Sequence, residues 1–234
     1  MDGAAPDPSR MARREPFLYL PWNLRHMPKQ IVALCGAKGV GKSTLANLIQ
    51  YRHYYPFAWA IKAMLLAAGV DKKDLTESDR KEVPSPLLMG KTPRHAMVTL
   101  GTEWGRNMIH PDIWLSLWKN KVDPIEDGRV LVDDVRFPNE IEALLERKAL
   151  IIAIERPGMV DYHRSVHDMF SQGIKAGEIA KKLCLSTEAV IDFLQKEIHQ
   201  SEKLAYRDYD IPVIPNNGTP KQLLEKFNDF ANRT

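Results

Sequence analysis

Gly36-Ala37-Lys38-Gly39-Val40-Gly41-Lys42-Ser43 fits the spacing G-x-x-x-x-G-K-[ST], and its flanks supply the context that gives this spacing meaning. Lys29-Gln30-Ile31-Val32-Ala33-Leu34-Cys35 ahead of it is an apolar, β-branched run that reads as a strand over 30–35. Thr44-Leu45-Ala46-Asn47-Leu48-Ile49 behind it opens a helix read as about 42–53. Strand, glycine loop and helix form a phosphate cradle: glycines let the backbone close around an anion, and loop N–H groups with the helix N-terminus point at it. Gly36, Lys38, Gly39, Val40, Gly41, Lys42, Ser43 and Thr44 are therefore the expected nucleotide-binding set. Lys42 is the cation for the β- and γ-phosphates, hence a catalytic residue, and Ser43 the hydroxyl ligand for Mg²⁺.

Further out, the chain alternates strands and helices. Val130-Leu131-Val132 reads as a buried strand ending in Asp133-Asp134, and Leu150-Ile151-Ile152-Ala153-Ile154 as another ending in Glu155-Arg156. An amphipathic helix over 139–148 joins them, and Ile211-Pro212-Val213-Ile214 with a helix over 220–231 completes the alternation. Phe57-Ala58 starts a short element, with a helix across Ile61-Lys62-Ala63-Met64-Leu65-Leu66. Residues 69–92, polar and holding Pro84 and Pro86, read as a mobile or substrate-covering segment, and a long helix starts at Thr92-Pro93. This pattern predicts an α/β fold with a parallel sheet and helices on both faces.

The 234 residues suit one such domain with an insertion, and 44% hydrophobic composition is enough for a core. The net charge of +3, from 33 basic and 30 acidic residues, neither demands nor excludes nucleic acid. Cys35 and Cys184 form no metal pattern and read as reduced, buried thiols of a cytoplasmic protein. No apolar run approaches the roughly 18 residues of a membrane span, so no membrane partner is expected. Residues 1–29 read as an N-terminal appendage, proline-rich and then arginine-bearing, with Phe17-Leu18-Tyr19-Leu20-Pro21-Trp22 too apolar for a free tail.

Ligands of parallel α/β sheets sit at the carboxyl ends of the strands, where Asp133 and Asp134 fall. Carboxylates there hold a Mg²⁺ shell or take a proton from the acceptor; the alternative is a pair of helix caps before Asn139-Glu140. Arg94, Arg106, Arg136 and Arg156 are candidate phosphate clamps, since a guanidinium is a planar bidentate donor.

Three longer stretches are distinctive. Gly101-Thr102-Glu103-Trp104-Gly105-Arg106, Ile109-His110-Pro111-Asp112-Ile113-Trp114 and Asp134-Val135-Arg136-Phe137-Pro138-Asn139-Glu140 resemble those of phage deoxynucleoside monophosphate kinases. His199-Gln200-Ser201-Glu202 and Asn216-Asn217-Gly218-Thr219 fit the same family, and the resemblance covers 30–160 and 199–230. It implies a P-loop phosphotransferase of the nucleotide-kinase fold, using ATP and Mg²⁺ in the cytoplasm of a phage's host. By resemblance, Arg94, Trp104, Arg106 and Arg136 are substrate residues. Asp134 is catalytic at the reaction centre with Asp133 on the metal, Arg156 is catalytic at the start of the lid, and Asn216 and Gly218 lie near the adenine.

Residues 161–198 depart from that pattern, between core segments 30–160 and 199–234. Apolar positions at 179, 180, 183, 185, 190, 191 and 194 describe two helices about a short turn, the second capped by Ser186 or Thr187, with a third helix over 165–171 ahead of them. This pattern resembles a helix-turn-helix unit, and Lys175, Lys181, Lys182, Ser186 and Thr187 are its candidate DNA contacts. Its charge is mixed: residues 161–200 carry five Lys/Arg against six Asp/Glu, about −1. A plain helical lid is the other reading. Kinases of thymine-hypermodifying phages combine such a core with such an insert, and this resemblance makes 5-hydroxymethyluracil in DNA the expected acceptor and partner. A free deoxynucleoside monophosphate is the alternative acceptor, and a P-loop regulator without catalysis a third reading. A homodimer is compatible with all three.

Overall fold

The computed structural model of the protein describes residues 28–158, 162–195 and 205–233. Residues 1–27 of the expected appendage and the His199-Gln200-Ser201-Glu202 motif lie outside the described residues. Five strands, β1 (Gln30–Cys35), β2 (His53–Tyr54), β3 (Arg129–Val135), β4 (Leu150–Glu155) and β5 (Val213–Pro215), form one sheet in the order β2-β3-β1-β4-β5. β2 pairs parallel with β3 (His53 opposite Val130) and β4 parallel with β5 (Ala153 opposite Val213). The first of these pairs was missed, because a two-residue edge strand has no period to read. The central strands are the apolar runs: Val32, Ala33, Leu34, Val130, Leu131, Val132, Ile152, Ala153 and Ile154 are fully buried. That is the continuous hydrophobic signature of strands covered on both faces. The fold is thus α/β, as expected.

Helices α1 (Lys42–Leu48), α2 (Trp59–Ala67), α3 (Lys72–Thr76), α4 (Pro93–Val98), α5 (Ile113–Val122), α6 (Pro138–Glu146), α7 (Tyr162–Ser171), α8 (Ala176–Leu183), α9 (Thr187–Gln195) and α10 (Pro220–Ala231) are connected by strands, turns, short 3₁₀ segments and, between α4 and α5, the π-helical segment Thr99–Ile109. The 69–92 stretch forms α3, capped by the Asp71 carboxylate accepting from Lys73 N, and two 3₁₀ turns, Arg80–Glu82 and Pro86–Leu88. Three expectations are corrected. The helix after the glycine loop stops at Leu48 instead of running to 53. Asp133 and Asp134 lie inside β3, which continues to Val135. Cys184 is exposed, at the left-handed C-cap of α8, whereas Cys35 is buried as expected.

The chain divides into two compact units. Of the described residues, one takes in 28–33, Ile49–Val135 and Glu142–Leu150; the other takes in Leu34–Leu48, Arg136–Ile141 and those from Ile151 on. In the first, Ala60, Ile61, Leu65, Val70, Leu75 and Trp114 form a core under α2 and α5. In the second, α7, α8 and α9 build their own core from Val166, Ile179, Ala180 and Val190. Among the described residues no helix is long and apolar enough to cross a membrane.

Candidate active site

The glycine loop has the backbone its spacing requires. Gly36, Gly39 and Gly41 take φ of +131°, +84° and +105°, where L side chains are strained. A Cβ on Gly36 would lie 2.3 Å from the Ile154 carbonyl oxygen, and one on Gly41 2.4 Å from Asn216 Nδ2. Only glycine fits these positions, which is the cradle a phosphate needs. Lys42 Nζ donates to the carbonyls of Gly36 (2.8 Å) and Ala37 (2.7 Å), so the ammonium is folded over its own loop. Lys38, Gly39, Ser43 and Thr44 are exposed and Val40 is buried. These groups fit a nucleotide triphosphate and its Mg²⁺: backbone donors, one ammonium and one hydroxyl at a helix start.

Asn216 braces this loop. Its Nδ2 donates to Val40 O (2.7 Å), and its own N donates to Glu155 O (2.7 Å) at the end of β4. Gly218 precedes a capping box in which Thr219 accepts from Gln222 N and Gln222 Oε1 accepts from Thr219 N. A Cβ on Gly218 would meet Gln222 Oε1 at 2.3 Å. Arg156 is exposed, one residue past β4. The neighbouring Glu155 accepts from Tyr206 Oη (2.8 Å) and pairs with Arg207 (3.0 Å). Burial raises the Glu155 carboxyl, but these two partners outweigh it and hold it below its usual range.

The paired aspartates of β3 have different surroundings. Asp133 Oδ1 accepts from Tyr54 Oη at 2.8 Å. Asp134 Oδ1 accepts from Phe57 N (2.8 Å) and its Oδ2 from Ala58 N (2.9 Å). As residues both are half-buried, and the Asp134 carboxyl itself lies out of contact with solvent. Desolvation first, and the like charge of Asp133 next, push the Asp134 carboxyl up, against Lys62 and the two N–H groups. Burial above all pushes the Tyr54 phenol up, with both aspartates adding to it. Neither aspartate caps α6, the alternative left open by the sequence. That task falls to Glu140, only 2% exposed, whose Oε2 accepts from Arg136 N (2.8 Å) and Phe137 N (3.1 Å). Arg136 is thereby fixed at its backbone at the start of α6.

The expected acceptor residues Arg94, Trp104 and Arg106 lie on α4 and the π-helical segment Thr99–Ile109 that continues it. Arg94 pairs with Glu82 at 3.2 Å and is half-buried. Arg106 is 9% exposed and donates to Pro111 O at 2.9 Å. Trp104 is 37% exposed, with its ring 6.1 Å from that of Trp114. Trp114 organises this segment: its Nε1 donates to Gly101 O (2.6 Å), and a Cβ on Gly105 would sit 2.3 Å from its ring. Gly101 and Gly105 thus make room for an indole, and the helix widens where it enters. Sequence reasoning assigned no role to Tyr54, Glu140 or Trp114. The Gly101–Gly105 spacing before a tryptophan was a readable sign for the last; the other two act through tertiary contacts.

Lys175, Lys181, Lys182, Ser186 and Thr187 are all exposed on α7–α9 and their turns. Ser186, rather than Thr187, caps α9 by accepting from Ala189 N (3.1 Å). Lys175, Lys181, Ser186 and Thr187 line an open concavity of about 650 Å³ with Gly177, Glu178 and Cys184.

No family model matches the chain. It is 26% identical over 167 residues to a "putative deoxynucleotide monophosphate kinase" of Acanthamoeba polyphaga mimivirus, covering 64% of this chain and 86% of that protein. It is 37% identical over 59 residues to a deoxynucleoside-5′-monophosphate kinase of Escherichia phage T5, covering 25% of this chain and 24% of that one. Among solved structures it matches TT1252 from Thermus thermophilus at 17% identity and TM-score 0.40, over 88% of this chain and 97% of the other. In sequence, the chain is similar to viral proteins that bear the name of deoxynucleotide kinases.

Proposed function

We propose that this protein is a phosphotransferase that uses ATP and Mg²⁺ to phosphorylate free deoxynucleoside monophosphates. The observation that carries the reading is the loop of residues 36–43: glycines at positive φ with no room for a Cβ, and Lys42 laid over the cradle. The names of the two viral relatives support the acceptor class.

In this reading the loop from Gly36 to Thr44 holds the donor phosphates, and Asn216 and Gly218 shape the side nearest the base. Mg·ATP, when bound, supplies the phosphoryl group with part of its charge neutralised, and Ser43 and Asp133 are the residues to hold the metal. Lys42, whose ammonium now donates to the Gly36 and Ala37 carbonyls, would be the cation to meet the phosphoryl oxygens as their charge grows in the transition state. Arg94, Arg106, Arg136 and Arg156 serve the anionic groups, and Trp104 offers an exposed ring edge to a base. An acceptor phosphate is already ionised, so orientation and charge matter more than a strong base.

The second reading, a kinase of 5-hydroxymethyluracil in DNA, is favoured by one feature. The α7–α9 unit has its own core, a Ser186-capped last helix and exposed lysines beside the turn. Labelled ATP offered with free dNMPs, with hydroxymethyluracil-containing DNA and with plain DNA separates the readings. Label in dNDPs supports the first; label confined to the modified DNA overturns it in favour of the second.

A further inference from the structure

We infer that Asp134 is a positioning residue, the N-terminal cap of α2 supplied from another strand, and that Asp133 is the carboxylate of the pair that acts in the reaction. The inference rests on the kinase reading for Asp133 only.

Helix α2 has no side-chain cap of its own. Its first N–H groups have no partner within the helix. The usual remedy is a Ser, Thr, Asp or Asn at the cap, but this helix has Ala58, whose side chain makes no such bond. The segment before it leaves the sheet just there: Tyr54 is paired with Leu131, Tyr55 N donates to Leu131 O, and the ladder ends. Ala58 N, the N–H of the cap residue, and Phe57 N, one residue ahead of it, would then be orphan donors beside a buried Phe57 side chain. Asp134 receives both, one on each oxygen, at 2.8 and 2.9 Å. A carboxylate so engaged is held in place by two charge-assisted bonds and complements the helix dipole. It anchors the turn that carries Trp59 and Lys62 on α2. To accept a substrate proton it would have to weaken at least one of these bonds.

Asp133 differs. Tyr54 Oη occupies its Oδ1, and its Oδ2 accepts no hydrogen bond from the described residues. The tyrosine orients the group and leaves one oxygen for chemistry.

Amide hydrogen exchange, thermal melting and steady-state kinetics on Asp134→Ala, Asp134→Asn and Asp133→Asn test the division. Asp134→Ala should speed exchange at Phe57 and Ala58 by about tenfold, the scale of losing a helix cap. Asp134→Asn, which keeps one acceptor oxygen, should fall between it and wild type. In both, the larger share of the kinetic loss should appear in KM for the dNMP. Asp133→Asn should leave exchange at these two amides and the melting temperature as in wild type, while kcat falls about 10²-fold, the scale of losing one electrostatic group at a reaction centre. Unchanged exchange at Phe57 and Ala58 in Asp134→Ala overturns the cap. A kcat loss for Asp134→Asn larger than that for Asp133→Asn overturns the assignment of the reacting carboxylate. If wild type phosphorylates no dNMP, the substrate reading fails by itself, and the exchange measurement still decides the cap.

Discussion

Gly36 and Lys42 show how much of the loop depends on single residues. At φ +131°, with the Ile154 carbonyl oxygen 2.3 Å from any added Cβ, Gly36→Ala combines a strained backbone with a clash against main chain that cannot rotate away. Each effect costs about 1–3 kcal/mol, so the variant should lose more than about 2 kcal/mol of stability in denaturant unfolding. Lys42→Ala removes no packing of that kind. Its ammonium donates to the loop's own Gly36 and Ala37 carbonyls, so melting should stay near wild type while transfer is lost. Turnover near the wild-type rate in a folded Lys42→Ala protein would remove the phosphate-loop assignment. Glu140 has a different role at the same scale: Glu140→Ala leaves Arg136 N and Phe137 N without their acceptor in a buried place, at a cost of about 1–3 kcal/mol. Glu140→Gln keeps an acceptor oxygen and should recover much of that in the same unfolding assay.

At the scale of elements, the end of β4 and the 3₁₀ turn Ala205–Asp208 are tied by Glu155, Tyr206 and Arg207. The lowered Glu155 carboxyl makes its contribution depend on pH. The bonds favour the ionised form, so their stabilisation is present above the ordinary carboxylate range and disappears as pH falls through the lowered value. The melting-temperature difference between wild type and Glu155→Gln should therefore shrink on acidification; a difference that grows would reverse the sign of the argument. The α8–α9 pair depends on shape instead. Ala180 is 5% exposed in the small core with Ile179 and Val190, so Ala180→Leu should overpack it by about 1–3 kcal/mol. Circular dichroism should show lost helix, while ATP binding, which uses other residues, persists.

At the scale of the whole molecule, the α7–α9 unit decides between the two readings of function. Its apolar side chains pack on one another, so replacing residues 162–195 by a Gly/Ser linker should leave a folded protein that binds ATP. If the unit serves a dNMP kinase as a closing element, dNMP phosphorylation should fall. If it recruits DNA, the loss should appear with hydroxymethyluracil-containing duplex instead, and binding by the intact protein should weaken as salt rises. A linker variant that retains full rate on every acceptor would leave the unit outside catalysis and recruitment alike.

The sequence alone determined the α/β alternation, the glycine loop and the three helices of 162–195. Each of these is written in local terms: a run of β-branched residues, a fixed spacing of Gly and Lys, or a helical period with a serine cap. The last helix, Pro220–Ala231, matched its expected bounds because Thr219 and Gln222 form its cap within the same few residues. The tertiary structure alone decided what the aspartates bond to, because the acceptors of Asp134 are taken by two N–H groups at Phe57 and Ala58, far from it along the chain. The same holds for β2, which is a strand only because β3 lies beside it, and for Gly105, which is a glycine because Trp114 fills its place. Local patterns specify elements, since their causes lie within a turn or two of chain. The roles of buried polar groups depend on which distant donors the fold brings to them, and no spacing along the chain encodes that.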